Sequence, residues 1–214
     1  MLADSPVASP YVEEIMSRAQ GTVLDIGPGS GDQMFHFNKD RVDKIYAAEP
    51  NTFLHGPLMA KAKENGLGSR YVPLRAGVEA SELLPALKRV RLLPESTTSL
   101  PPNGVFDSIV AVRSMCSATH SQSWETASTL WWLLKPGGEL LFFEHLKNDD
   151  STVIKAYARG LNLMWPALMG GCRLDGNLDK IVLRMHGWEK RNIQNVKEYE
   201  GYGVFRYAKG ICTK

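Results

Sequence analysis

Residues Thr22 to Asp32 read TVLDIGPGSGD. Thr22, Val23, Leu24 and Ile26 form a short run of β-branched and aliphatic residues, which predicts a buried strand, and glycines follow it at once at 27, 29 and 31. Glycine admits positive φ and lets a ligand approach the backbone where a Cβ would block it. Three glycines at the C-terminal end of a strand therefore predict a cradle: Gly27, Pro28, Gly29 and Gly31. From Asp32 onward, Gln33, Met34, Phe35 and Phe37 predict a helix whose first amides face the same crevice.

The spacing separates two kinds of ligand. A dinucleotide fingerprint, G-x-G-x-x-G, requires glycine where this chain has Asp32, so a pyrophosphate site is disfavoured. Asp25 interrupts an apolar strand, and a buried carboxylate is costly unless it accepts hydrogen bonds; an amino group on a bound ligand would supply them. Glu49, with Pro50 beside it, closes the next strand 24 positions after Asp25 (49 minus 25). That is where a carboxylate meets the two hydroxyls of a ribose, the alternative being a solvated charge at a strand end.

Alternation runs along the rest of the chain. Tyr11 to Gln20 carries an apolar stripe, with Ser9 as cap and Pro10 at the first position, and predicts a short N-terminal helix, either a lid or a packing element. Strands are expected at 43–49, 70–74, 105–112 and 139–144, with helices at 51–65, 79–90 and 123–134 between them and a Pro-, Ser- and Thr-rich loop at 91–104. Pro136, Gly137 and Gly138 predict a turn before the fifth strand. Helices at 151–163 and 178–185 and strands at 188–196 and 203–212 complete the tail. Strands alternating with helices imply parallel pairing through right-handed crossovers, hence an α/β sheet covered on both faces.

In such sheets ligands sit beyond the C-terminal strand ends. After the third strand, Arg75, Ala76, Gly77 and Val78 offer a flat apolar slot for an adenine, with Glu79 near its amine. After the fourth comes the polar loop RSMCSAT, beginning at Arg113, Ser114 and Met115, and after the fifth come Glu144 and His145.

A length of 214 residues and 43% hydrophobic content suit one domain over 1–214. The net charge of +2 has no long run of either sign behind it and gives nucleic-acid binding no electrostatic support. Cys116, Cys172 and Cys212 form no C-x-x-C pair and are odd in number, which points to a reducing compartment and against a zinc site. With no targeting pattern in Met1 to Pro10 and no apolar stretch of about 18 residues, a soluble cytoplasmic protein is expected.

The ordered set VLDIGPGSG, IYAAEPN, FDSIVAVRSMCS and LLKPGGELLFFEH resembles class I S-adenosylmethionine-dependent methyltransferases of the small-molecule type over roughly Thr22 to His145. The EH pair after the fifth strand, WPALMGGCRL and the final YAKGICTK resemble the thiol S-methyltransferase-like branch, methyltransferase-like protein 7 and its fungal relatives. About 21 residues precede the first motif, fewer than is usual in that branch.

The resemblance implies a Rossmann-like, mostly parallel seven-stranded sheet with an antiparallel last strand, and S-adenosyl-L-methionine as cofactor with S-adenosyl-L-homocysteine as product. It further implies that Asp25 and Gly27 to Gly31 hold the methionyl part, Glu49 the ribose, and Gly77, Val78 and Glu79 the adenine. Arg113, Ser114 and Met115 would lie beside the sulfonium. The acceptor is then a small, hydrophobic thiol or hydroxyl metabolite.

His145 is the candidate base, the alternative being a histidine bonded to backbone, and His120 is a second candidate. Cys116 and Cys172 read as small buried residues, since methyl transfer needs no covalent enzyme intermediate. Met164, Trp165, Leu168 and Met169 read as an adaptable apolar wall for the acceptor or as ordinary core, with Tyr11 and Ile15 closing the other side. Two other readings stay open: a non-methylating reaction such as cyclisation in the same fold, and a non-catalytic binding partner.

Overall fold

The computed structural model describes residues 9–117, 123–148, 151–168, 170–196 and 205–214. Ser9 caps α1 (Pro10–Arg18) through its side chain, which accepts from the Tyr11 amide at 3.3 Å. Then come β1 (Gly21–Ile26), β2 (Val42–Ala48), α2 (His55–Glu64), β3 (Tyr71–Leu74), α3 (Ala80–Arg89), β4 (Phe106–Val112) and α4 (Ser123–Leu133). The chain continues as β5 (Leu134–Lys147), α5 (Thr152–Leu161), the short α6 (Trp165–Leu168), α7 (Leu178–Arg184), β6 (Lys190–Val196) and β7 (Phe205–Thr213).

The seven strands form one sheet in the order β3-β2-β1-β4-β5-β7-β6. β1 pairs in parallel with β2 and β4, β2 with β3, and β4 with β5, while β7 runs antiparallel to both β5 and β6. Alternate side chains of each strand serve opposite faces. Leu24, Ile26, Ile109 and Phe142 pack on one side with Leu83 and Leu87 of α3, Leu130 of α4 and Val182 of α7. Val23, Ile45, Val110 and Phe143 pack on the other with Val12 and Ile15 of α1 and Leu58 of α2. The α/β architecture with helices on both faces is as expected. Among the described residues no helix is long and apolar enough to cross a membrane.

Two expected elements differ in extent, and the helix α6 stands where none was expected. The helix after Asp32 is only a 3₁₀ turn, Met34–His36. Met34 and Phe37 are both buried in the same core, and one tight turn puts them there while residues 33–41 carry the chain across to β2. The fifth strand is longer than the run 139–144. It begins directly where α4 ends, absorbs the Pro-Gly-Gly segment as a bulge between the Phe106–Leu134 and Ser108–Glu139 pairs, and continues to Lys147 because β7 pairs with it as far as Phe205. His145 therefore lies inside β5, opposite Tyr207, rather than after it. The connection between β6 and β7 lies outside the described residues.

Candidate functional site

β1 and β4 are neighbours although two strands separate them in sequence, so the sheet reverses its winding between them and a crevice opens above their C-terminal ends. The glycine loop sits there. Gly27 and Gly29 both have positive φ, +58° and +60°, and a Cβ on Gly27 would lie 2.7 Å from the Ser114 Cβ, so the loop after β4 closes down on bare backbone. The Gly29 amide donates to Glu49 Oε2 at 3.0 Å and the Asn51 amide to Glu49 Oε1 at 2.8 Å. Glu49 is buried and fixed, yet each of its oxygens keeps a further lone pair.

Gly27, Glu49, Pro50, Gly77, Val78, Glu79, Arg113 and Ser114 line one cleft of about 720 Å³. Residues expected to serve methionyl, ribose, adenine and sulfonium thus converge from the ends of four strands. Arg113 is held at φ +54°, its amide donating to the Phe143 carbonyl at 2.8 Å. Its Nε and the Ser114 Oγ are buried polar atoms without a protein partner, which is how a wall awaiting a polar ligand is built. Met115 turns the other way and lines a separate 420 Å³ cavity with Glu144 and Leu178.

Glu144 was readable only as a residue after the fifth strand. Its Oε1 accepts from the Ser114 and Met115 amides at 2.7 and 2.8 Å and so shapes the Arg113–Met115 loop. Burial pushes its carboxyl up to about 7, against the pull of those two amides. Carboxylate placement in an otherwise apolar strand, the signal that singled out Asp25, was also the signal here.

Asp25 is 6% exposed and lines neither the cleft nor its neighbours. Its partner is within the protein: the Tyr71 hydroxyl donates to Oδ2 at 2.6 Å. Burial raises its pKa to about 7, the Tyr71 bond acting downward and the charge of Glu49 upward.

A second cleft, of about 1090 Å³, shares Gly27, Arg113 and Ser117 with the first and continues past Pro28, Gly29, Asp32 and Trp165 to Cys116, His145, Cys172 and Tyr207. His145 Nε2 lies 3.2 Å from the Arg173 carbonyl oxygen and 3.1 Å from Cys172 Sγ. Burial works against charging the ring, but the hydrogen bond and charge of Cys172 carry its pKa above the ordinary value. The Cys116 thiol, hydrogen-bonded to Cys172, pushes that thiol well down with help from His145, while Cys116 itself is pushed up. Cys116 and Cys172, 56 positions apart (172 minus 116), are brought to one place by the fold, beyond the reach of any spacing rule.

Of the expected acceptor residues, Trp165 stands on this wall. Met164 is 68% exposed and lines no cleft described above. Ile15 is fully buried in the core under α1, and Tyr11 stacks on Phe143 with ring centroids 6.5 Å apart; neither faces either cleft. Met169 and His120 lie outside the described residues.

No family model matches the sequence, and no curated protein matches it. Solved structures do. The [4+2]-cyclase SpnF is similar over 95% of this chain and 78% of its own, with 20% identity and a TM-score of 0.64. The mycolic acid cyclopropane synthase CmaA1, solved with S-adenosylhomocysteine and CTAB, covers 94% and 81% with 15% identity and a TM-score of 0.64. The N-methyltransferase NodS from Bradyrhizobium japonicum WM9, in complex with S-adenosylhomocysteine, covers 99% and 90% with 14% identity and a TM-score of 0.60. The chain has the Rossmann-like fold of these proteins.

Proposed function

We propose that the protein is an S-adenosylmethionine-dependent methyltransferase acting on a small, hydrophobic thiol or hydroxyl metabolite, of the thiol S-methyltransferase-like branch. The observation that carries this reading is the single cleft in which Gly27, Glu49, Gly77–Glu79 and Arg113–Ser114 meet. The cofactor, when bound, supplies a methyl group already activated on a sulfonium.

The chain's part is to hold and to orient. Glu49 offers its remaining lone pairs to the ribose hydroxyls, the loop backbone from Gly27 to Ser30, along both clefts, takes the methionyl end, and Gly77, Val78 and Glu79 flank the adenine. Arg113 and Ser114, in the loop that Glu144 pins through the Ser114 and Met115 amides, border the reacting end. The adjoining cleft with Trp165 holds the acceptor in line, which is catalysis by proximity. His145 is the group there that takes the acceptor's proton. Three free, buried thiols and a net charge of +2 support a cytoplasmic enzyme with a small-molecule rather than nucleic-acid acceptor.

Isothermal titration with S-adenosylhomocysteine tests the cofactor assignment, and a screen of metabolites for the mass gain of one methyl group tests the reaction. Absence of heat at millimolar ligand rejects the assignment. The likeness to SpnF supports a second reading, a non-methylating reaction in the same cleft. Its mark would be cofactor binding together with a changed substrate of unchanged mass.

A further inference from the structure

The mechanism leaves two buried thiols unused beside the proposed acceptor cleft. Cys116 stands on the 3₁₀ turn Met115–Ser117, His145 on β5, and Cys172 on the segment before α7. Their Sγ, nitrogen and Sγ atoms all lie within 4.8 Å of one another. A tetrahedral zinc ion, with Zn–S of about 2.3 Å and Zn–N of about 2.0–2.1 Å, sets its ligand atoms about 3.6–3.8 Å apart. The cluster is close to that scale, with the His145–Cys172 pair at 3.1 Å and every pair within 4.8 Å.

The three segments are also fixed against each other. The Arg173 amide, next to Cys172, donates to the Cys116 carbonyl at 3.0 Å, and Glu144, next to His145, holds the amide of Met115. The Arg173 carbonyl is the competing partner, 3.2 Å from the same imidazole nitrogen, and ligation at Nε2 replaces that bond.

We propose that Cys116, His145 and Cys172 form a site for a thiophilic divalent cation of the zinc type, with its fourth position open to the acceptor cleft to take a thiol substrate. All three residues border the 1090 Å³ cleft, and three protein ligands with an open side are the pattern of a reactive rather than a structural zinc site. Two thiolates and one neutral imidazole leave the ion with no net charge at the site, so a third, substrate thiolate is accepted without building a large negative charge.

Binding the ion releases the ligand protons to solvent. The acceptor thiol then loses its proton to solvent as its sulfur displaces water from the ion. The sulfur–methyl bond forms as the sulfonium carbon–sulfur bond breaks, giving S-adenosylhomocysteine and a methyl thioether that leaves the ion. The substrate-class part of the inference rests on the methyltransferase reading, narrows it to thiols and turns His145 from base into ligand; the metal site itself does not depend on that reading.

The test is titration of the full chain, metal-free and kept reduced with a phosphine, with Co²⁺. Expected are uptake of one equivalent, a sulfur-to-cobalt charge-transfer band and the visible bands of a tetrahedral ion. Phenylmethanethiol is expected to shift those bands and phenylmethanol to leave them unchanged. Cys172→Ser and His145→Gln each weaken uptake by more than about tenfold, and Cys212→Ser, remote on β7, leaves it intact.

Absence of stoichiometric uptake by the unmodified chain, or uptake unaffected by Cys172→Ser and His145→Gln, overturns the site. A spectrum indifferent to the thiol overturns the open position. S-adenosylhomocysteine calorimetry on the same preparation separates the two readings: binding without metal uptake rejects this site alone, and metal uptake without binding rejects the cofactor assignment alone.

Discussion

A carboxylate sealed inside an apolar sheet is costly when charged, and in Asp25 that cost takes the form of a raised pKa. Its pKa is raised from 3.8 to about 7 in the folded state, mainly by burial. Between those values the folded protein holds a proton that the unfolded chain has lost. Asp25 therefore contributes stability fully below about pH 4, and that contribution is lost as pH rises through about 7. The interval caps the effect at about 4 kcal/mol. Asp25→Asn keeps an acceptor for the Tyr71 hydroxyl and removes the charge, so urea unfolding of the variant should show a smaller loss between about pH 5 and about pH 8 than the parent. A parallel loss in both proteins would reject the assignment. Glu144 gives a second test: Glu144→Ala orphans two loop amides and should cost about 2–3 kcal/mol, whereas Glu144→Gln keeps an acceptor oxygen and should cost less in the same unfolding measurement. Asp25 and Glu49 were legible because a carboxylate in or at the end of an apolar strand is a local oddity. Tyr71 and Glu144 as partners were not, because the pairing spans 46 residues in one case and about 30 in the other.

The strands and helices were legible wherever one period governs a stretch, and failed where a neighbour decides. The turn at 34–36 is short because Met34 and Phe37 share one core, and β5 overruns its apolar stretch because β7 pairs with it. The same pairing makes Gly210 an exacting position. It sits opposite Phe142, whose ring covers it so closely that a Cβ there would come within 2.0 Å of ring carbon. Phe142 is itself fully buried and has no room to turn away. Gly210→Ala should therefore cost about 3 kcal/mol or more in stability by denaturant unfolding, although alanine is chemically the mildest change. The glycine loop offers an internal comparison. Both Gly27 and Gly29 pay for positive φ when changed to alanine, but only Gly27 would also strike Ser114. Gly27→Ala should thus weaken S-adenosylhomocysteine binding by more than Gly29→Ala, measured by calorimetry; equal losses would mean that the two loops are not pressed together at Gly27.

The alternation of strands and helices made the α/β class legible, but the order of strands decides where chemistry happens. Placing β4 beside β1 brings residues from 27, 49, 77 and 113 to one cleft, and placing β4 beside β5, with the Arg173 amide bonded to the Cys116 carbonyl, brings Cys116 and Cys172 to His145; neither juxtaposition has a mark in any one segment. A ligand in that cleft touches the ends of β1, β2, β3 and β4 together, so it links four of the seven strands and unfolding must displace it. Binding to the folded chain alone adds RT ln(1 + [L]/Kd), about 2.7 kcal/mol at a ligand concentration of one hundred times Kd. For a chain of this length each kcal/mol moves the melting midpoint by about 2–4 °C, so saturating S-adenosylhomocysteine should raise it by about 5–10 °C. Glu49→Gln leaves an oxygen for only one of the two backbone amides and loses the charge proposed to meet the ribose, so it should lower the parent melting point modestly and abolish most of the ligand-induced rise. A Glu49→Gln variant that keeps the full rise would show that the carboxylate shapes the loop without meeting the ligand.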